Sequence, residues 1–146
     1  MTPGDDTHGG PARSQGDLDV LNGPFTTSQL LRIDEALRLA DSSTGLTFSV
    51  YVGELDEPVR GHAEKLHGQL AEPDESVLLA VSPNQRLLEI VTGYTARRRI
   101  PDRAAKLAAL SMAAAFGGGD LAGGLVAGLA QLAEQAGRNK PPAGTK

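Results

Sequence analysis

The sequence predicts an α/β domain: a mixed sheet, made of a β-α-β crossover plus an antiparallel hairpin, covered by helices. Three observations point to it. Leu46 to Val52 alternates apolar and polar residues, as a strand with one apolar face does. Val77 to Val81 is apolar throughout, which suits a central strand covered on both faces. Ser82-Pro83-Asn84-Gln85 then reads as a turn, so Leu87 to Thr92 returns antiparallel beside the central strand. A helical stretch separates the first two strands, which calls for parallel pairing with a right-handed crossover.

The helices follow in order. Thr26 and Gln29 have capping-box spacing, and Phe25 and Leu30 fall where a hydrophobic staple would close the helix start. Leu30, Ile33, Leu37 and Ala40 make one face, Asp34 and Arg38 form an i,i+4 pair toward solvent, and Gly45 supplies the left-handed stop. Burying each Leu or Ile contributes ~1.5–3 kcal/mol against ~1 kcal/mol for the cap, so packing dominates. Glu54, Asp56 and Glu57 form a solvated acidic turn, and Pro58 sits in the first turn of a second helix with Val59, Ala63, Leu66 and Leu70 as its stripe. His62 and His67 fall about 140° apart around that helix at 3.6 residues per turn, as boundary residues unable to share a metal.

Beyond Gly93 the chain reads as helical. Pro101 and Asp102 start an alanine-rich helix with Leu107, Leu110 and Met112; Gly117-Gly118-Gly119 ends it. Asp120 caps a last helix striped by Leu121, Leu125, Leu129 and Leu132. From Leu107 to Ala133 the only charge is Asp120, but three consecutive glycines and thin Ala/Gly hydrophobicity favour two packed helices over a membrane span. Gly124 and Gly128 have the spacing for close helix packing.

Composition bounds the function. With 146 residues, a net charge of −4 and a pI near 5.3, the chain lacks the cationic character of a general nucleic-acid or membrane-surface binder. Cysteine is absent, which excludes disulfides, thiolate metal sites and a thiol nucleophile. Met1 to Val20 shows neither a basic nor an apolar signal region, so a cytoplasmic location is expected. Residues 1–24 and 137–146 are rich in Gly, Pro and polar residues and are expected to be disordered tails around a single domain at 25–136; His8 lies in the first of them. That domain is long enough to bury roughly two-thirds of its unfolded surface.

The predicted topology brings three segments to one end of the sheet: Thr44-Gly45, the acidic loop Glu72-Pro73-Asp74-Glu75, and Gly93-Tyr94 leading to Arg97, Arg98, Arg99 and Asp102. Three arrangements suit such charges. One is a surface salt-bridge network. Another is an anion-binding patch of Arg97, Arg98 and Arg99, whose forked donors suit phosphate or carboxylate. A third is a calcium-type site of Glu72, Asp74, Glu75 and Asp102, which the adjacent arginines oppose. Gly45, Gly93, Pro101 and Asp120 read as structural positions. No nucleophile, base and oxyanion donors combine in a catalytic motif.

The run V-L-L-A-V-S-P-N-Q-R-L-L-E-I-V-T-G-Y, the helix-starting I-P-D and the closing G-D-L-A-G-G-L-V-A-G-L resemble the TPM domain over about Phe25 to Ala136, and within that group an actinobacterial family, domain of unknown function 5130. The resemblance implies the TPM α/β fold, and family members are associated with calcium-binding acids, acid phosphatase activity and, in bacteria, membrane attachment. Gly93, Tyr94 and Asp102 keep the frame of the family's G-Y-G-L-E…L-T-D passage. T-A-R-R-R stands where its acidic middle would be, Ile100-Pro101 replaces Leu-Thr, and the Glu72–Glu75 loop is short, all of which weighs against calcium and phosphatase chemistry. The expected function is a non-enzymatic accessory or binding module for a protein partner or small anion, without cofactor. The alternatives are a divergent acid phosphatase, or a homo-oligomeric structural protein using the glycine-rich last helix.

Overall fold

The computed structural model describes residues 24–140; the expectations for residues 1–23 and 141–146, His8 included, lie outside the described residues. Thr26 opens α1 (Thr27–Thr44) with the predicted reciprocal cap: its hydroxyl accepts from Gln29 N–H at 3.1 Å, and Gln29 Oε1 accepts from Thr26 N–H at 2.8 Å. Phe25 and Leu30 are both buried beneath it. Gly45, at φ 83°, ends the helix in the left-handed conformation and donates its N–H to Asp41 C=O.

The remaining elements are β1 (Thr47–Val52), α2 (Val59–Gly68), a 3-10 turn at Pro73–Glu75, β2 (Ser76–Ser82), β3 (Leu87–Thr92), α3 (Tyr94–Arg99), α4 (Asp102–Gly117) and α5 (Leu121–Arg138). The sheet runs β1-β2-β3. β1 is parallel to β2, with Thr47 opposite Ser76, and β2 is antiparallel to β3, with Val77 opposite Thr92. Every residue of β2 is buried, as its apolar run requires of a central strand.

Three layers result. On one face of the sheet α1, α5 and α4 cover Phe48, Val50, Val77, Leu79, Val81 and Ile90; on the other, α2 covers Tyr51, Leu78, Ala80 and Val91. The predicted single apolar face of β1 is therefore half of what is buried: Ser49 and Tyr51, on the opposite face, lie under α2 and Leu55. Leu55 is the anchor of the acidic turn, whose Glu54, Asp56 and Glu57 are exposed as expected. Gln85 holds it there from the hairpin turn, accepting from Leu55 N–H at 2.8 Å and donating to Leu55 C=O at 3.0 Å.

α4 and α5 pack on each other through very small residues. A Cβ at Gly128 would stand 2.3 Å from Met112 Sδ, and one at Gly124 would stand 2.7 Å from a Phe116 ring carbon. The small-residue spacing thus joins two helices of the same chain. Asp120 caps α5 as predicted, accepting from Gly123 N–H at 2.9 Å. In α4 the buried residues are Ala105, Ala108 and Met112, whereas Leu107 and Leu110 face solvent at 55% and 68% exposure. Leu121 is partly buried, and Leu125, Leu129 and Leu132 are fully so. Among the described residues no helix is long and apolar enough to cross a membrane.

Polar side chains finish the margins of the sheet. Asp41 accepts from Phe48 N–H at 2.8 Å on β1, while on β3 Arg60 donates to Ile90 C=O at 2.9 Å and Arg97 to Thr92 C=O at 3.1 Å.

Candidate functional site

The end of the sheet where the predicted segments meet is built around Ser76, the first residue of β2. Its carbonyl accepts from Gly93 N–H at 2.9 Å and from His67 Nε2 at 3.0 Å. A carbonyl can only accept, so His67 carries its proton on Nε2. His67, expected at a boundary, is buried for that reason: the second helix turns it down onto the start of the central strand. Ser76 Oγ donates to Glu72 C=O at 2.6 Å, which fastens the acidic loop to the same residue. Gly93 then passes so close to the 3-10 turn that a Cβ there would lie 1.8 Å from Pro73 O and 2.6 Å from Asp74 C. The loop and the strand exit do converge, through backbone.

The charged side chains around this junction do not form the expected cluster. Among the described residues the ion pairs join Arg38 to Asp34 and Glu35, Arg60 to Glu64 and Glu89, and Arg138 to Glu134; none joins Arg97, Arg98 or Arg99 to Glu72, Asp74, Glu75 or Asp102. The predicted salt-bridge network is thus replaced by separate pairs elsewhere. Among the described residues no three acidic or histidine side chains come together to hold a metal, the four named acids included. Glu72, Asp74 and Glu75 point outward from a turn held by its backbone, and Asp102 opens α4 one helix further on.

The three arginines are also divided, because successive helical residues turn by about 100°. Arg97 and Arg98 are exposed. Arg99 turns back to the far end of α5, donating through Nε to Ala136 C=O at 3.1 Å, while its own carbonyl accepts from Asn139 Nδ2 at 3.0 Å. Its Nη2 is buried without a hydrogen-bond partner. A guanidinium suits that position, since the carbonyl end of a helix carries partial negative charge. Arg99 ties α3 to α5. Pro101 begins α4 as its N-cap residue, so Arg103 and Lys106 follow within its first turns, both exposed.

Sequence reasoning missed this cationic face. Arg103, Lys106, Leu107 and Leu110 recur at i, i+3, i+4 and i+7, and the signal was available in the complementary set Ala105, Ala108 and Met112 that is buried.

The other charged places have local roles. Burial disfavours the charged form of Arg60, but its hydrogen bonds to Glu89 and Glu64 outweigh that and raise its pKa. Arg38 is raised by its hydrogen bond to Glu35 and the charge of Asp34. At the opposite end of the sheet, burial first and then Asp56 and Glu54 raise the Tyr51 phenol, which donates to Glu54 C=O at 2.7 Å. His62 Nδ1 accepts from Asp56 N–H at 2.8 Å and its ring meets Tyr51 edge-on at 6.4 Å. Those contacts shape a turn.

Residues 10–133 match the model of a family described as a domain of unknown function, DUF5130. Uncharacterized proteins of two Mycobacterium tuberculosis strains are each 35% identical over 117 residues, covering 80% of this chain and 70% of the relative. Among solved structures, the N-terminal domain of a protein from P. gingivalis superposes with a TM-score of 0.69 at 23% identity, covering 77% of this chain and 76% of that one. The BA42 protein of the psychrophilic bacterium Bizionia argentinensis gives 0.70 at 19%, covering 80% and 84%. At such identities these structures establish a shared fold.

Proposed function

Because the chain belongs to the DUF5130 family, a domain of unknown function, we propose that it acts as a non-enzymatic binding or accessory module on a TPM-type frame. One observation carries this reading: Arg97, Arg98, Arg103 and Lys106 are all exposed along α3 and the start of α4, in a chain whose net charge is −4. Cations turned outward on successive helices offer donors to a surface or an anion, whereas a catalytic centre needs groups that converge on one reacting atom. The TPM-type frame is supported by the order of elements, by the hairpin ending in Gly93-Tyr94 and by the Asp120-capped last helix. Gly124 and Gly128 of that helix pack against Phe116 and Met112 of α4, which favours the binding-module reading over a homo-oligomer built on those glycines.

Purified protein offered a generic phosphate ester is expected to show no turnover. Backbone amide shifts on adding inorganic phosphate are expected to be weak, salt-sensitive and confined to residues 93–106. Phosphate ester hydrolysis that disappears in Asp102→Ala would instead establish the phosphatase reading.

A further inference from the structure

α4 presents two kinds of exposed residue on one face. Arg103, Lys106, Leu107 and Leu110 share a side of the helix, with Arg97 and Arg98 exposed on the short helix just before it. The two leucines are more than half exposed, whereas Ala105, Ala108 and Met112 are the buried residues of α4. In α3 and α4 the only carboxylate is Asp102, at the helix start where the dipole favours it. Two exposed leucines beside Arg103 and Lys106 call for an occupant that is apolar along one stripe and acidic beside it.

Shape and charge separate two occupants. A flat anionic bilayer would have to be approached by a chain whose net charge is −4. The leucines, moreover, lie at one end of Arg103 and Lys106, without basic residues on both sides as an interfacial helix has. A helix about 10 Å wide needs only the outer face of α4. We propose, resting on the binding-module reading above, that the outer face of α4 docks an acidic amphipathic helix of a partner protein. Leu107 and Leu110 take its apolar ridge, and Arg103 and Lys106 take its carboxylates.

The test follows amide shifts of the full chain during titration with three probes: a Leu/Glu amphipathic helical peptide, a scrambled peptide of the same composition, and vesicles containing phosphatidylserine. The patterned peptide is expected to shift residues 97–114, to bind at least tenfold more tightly than the scrambled one, and to lose at least tenfold in Leu107→Ser/Leu110→Ser. Both positions are exposed, so that variant keeps its fold, which its unchanged remaining spectrum verifies. Equal binding of the two peptides, or binding of vesicles in place of the peptide, overturns the proposal while leaving a binding module. Shifts from the peptide at a different surface overturn the assignment to α4 alone. Silence towards all three probes and towards inorganic phosphate overturns both readings.

Discussion

On its inward face α4 buries Ala105, Ala108 and Met112, and brings Met112 against Gly128 and Phe116 against Gly124 of α5; on its outward face it presents Leu107 and Leu110, both more than half exposed. The difference teaches that the depth of approach between helices, rather than side-chain hydrophobicity alone, decides which residues are buried. With glycine opposite, there is room for the Met112 and Phe116 side chains at close approach. The leucines are left to another purpose.

Four substitutions test how far that contrast holds. The largest effect is expected at a glycine whose neighbour is backbone. Gly93→Ala would drive a Cβ to 1.8 Å from Pro73 O, and neither the 3-10 turn nor β3 can yield without breaking the Gly93–Ser76 hydrogen bond; a loss of about 4 kcal/mol or more is expected in urea unfolding. A loss under about 1 kcal/mol would show the junction to be compliant. Gly128→Ala comes next, since there the obstacle is the Met112 side chain. Overpacking costs about 1–3 kcal/mol, and improved helix propensity returns about 1 kcal/mol. A net loss of about 1 kcal/mol is expected, and it should shrink when Met112→Ala is made in the same chain, a coupling that a double-mutant cycle measures. Smallest are Leu107→Ala and Leu110→Ala, each expected to change stability by no more than about 0.5 kcal/mol. A loss above about 2 kcal/mol at either would mean the outward face is core after all, and the comparison would fall.

Much of the frame was legible in local chemistry. The Thr26–Gln29 cap, the stop at Gly45, the apolar run of β2 and the hairpin after Ser82 each depend on residues within a few positions of one another. What escaped depends on partners distant in sequence. His67 is buried because Ser76 C=O waits nine residues on, and Leu55 is held by Gln85 across thirty. Arg99 leaves its neighbours for Ala136, thirty-seven residues away. The candidate site was half legible: topology brought the Glu72–Glu75 loop to Gly93, but the rotation of a helix dispersed the three arginines.

Three hydrogen bonds at the margins of the sheet bear on how the molecule avoids its own kind. A sheet of three strands leaves two of them, β1 and β3, with a row of backbone groups that could template a further strand from another chain. Asp41 covers a donor on β1, and Arg60 and Arg97 cover two acceptors on β3, so each backbone group is met by a charge of the sign it attracts. An incoming strand would have to displace a charged group already bonded at each of these points. At these three points, side chains borrowed from the sheet's own helices oppose edge-to-edge growth.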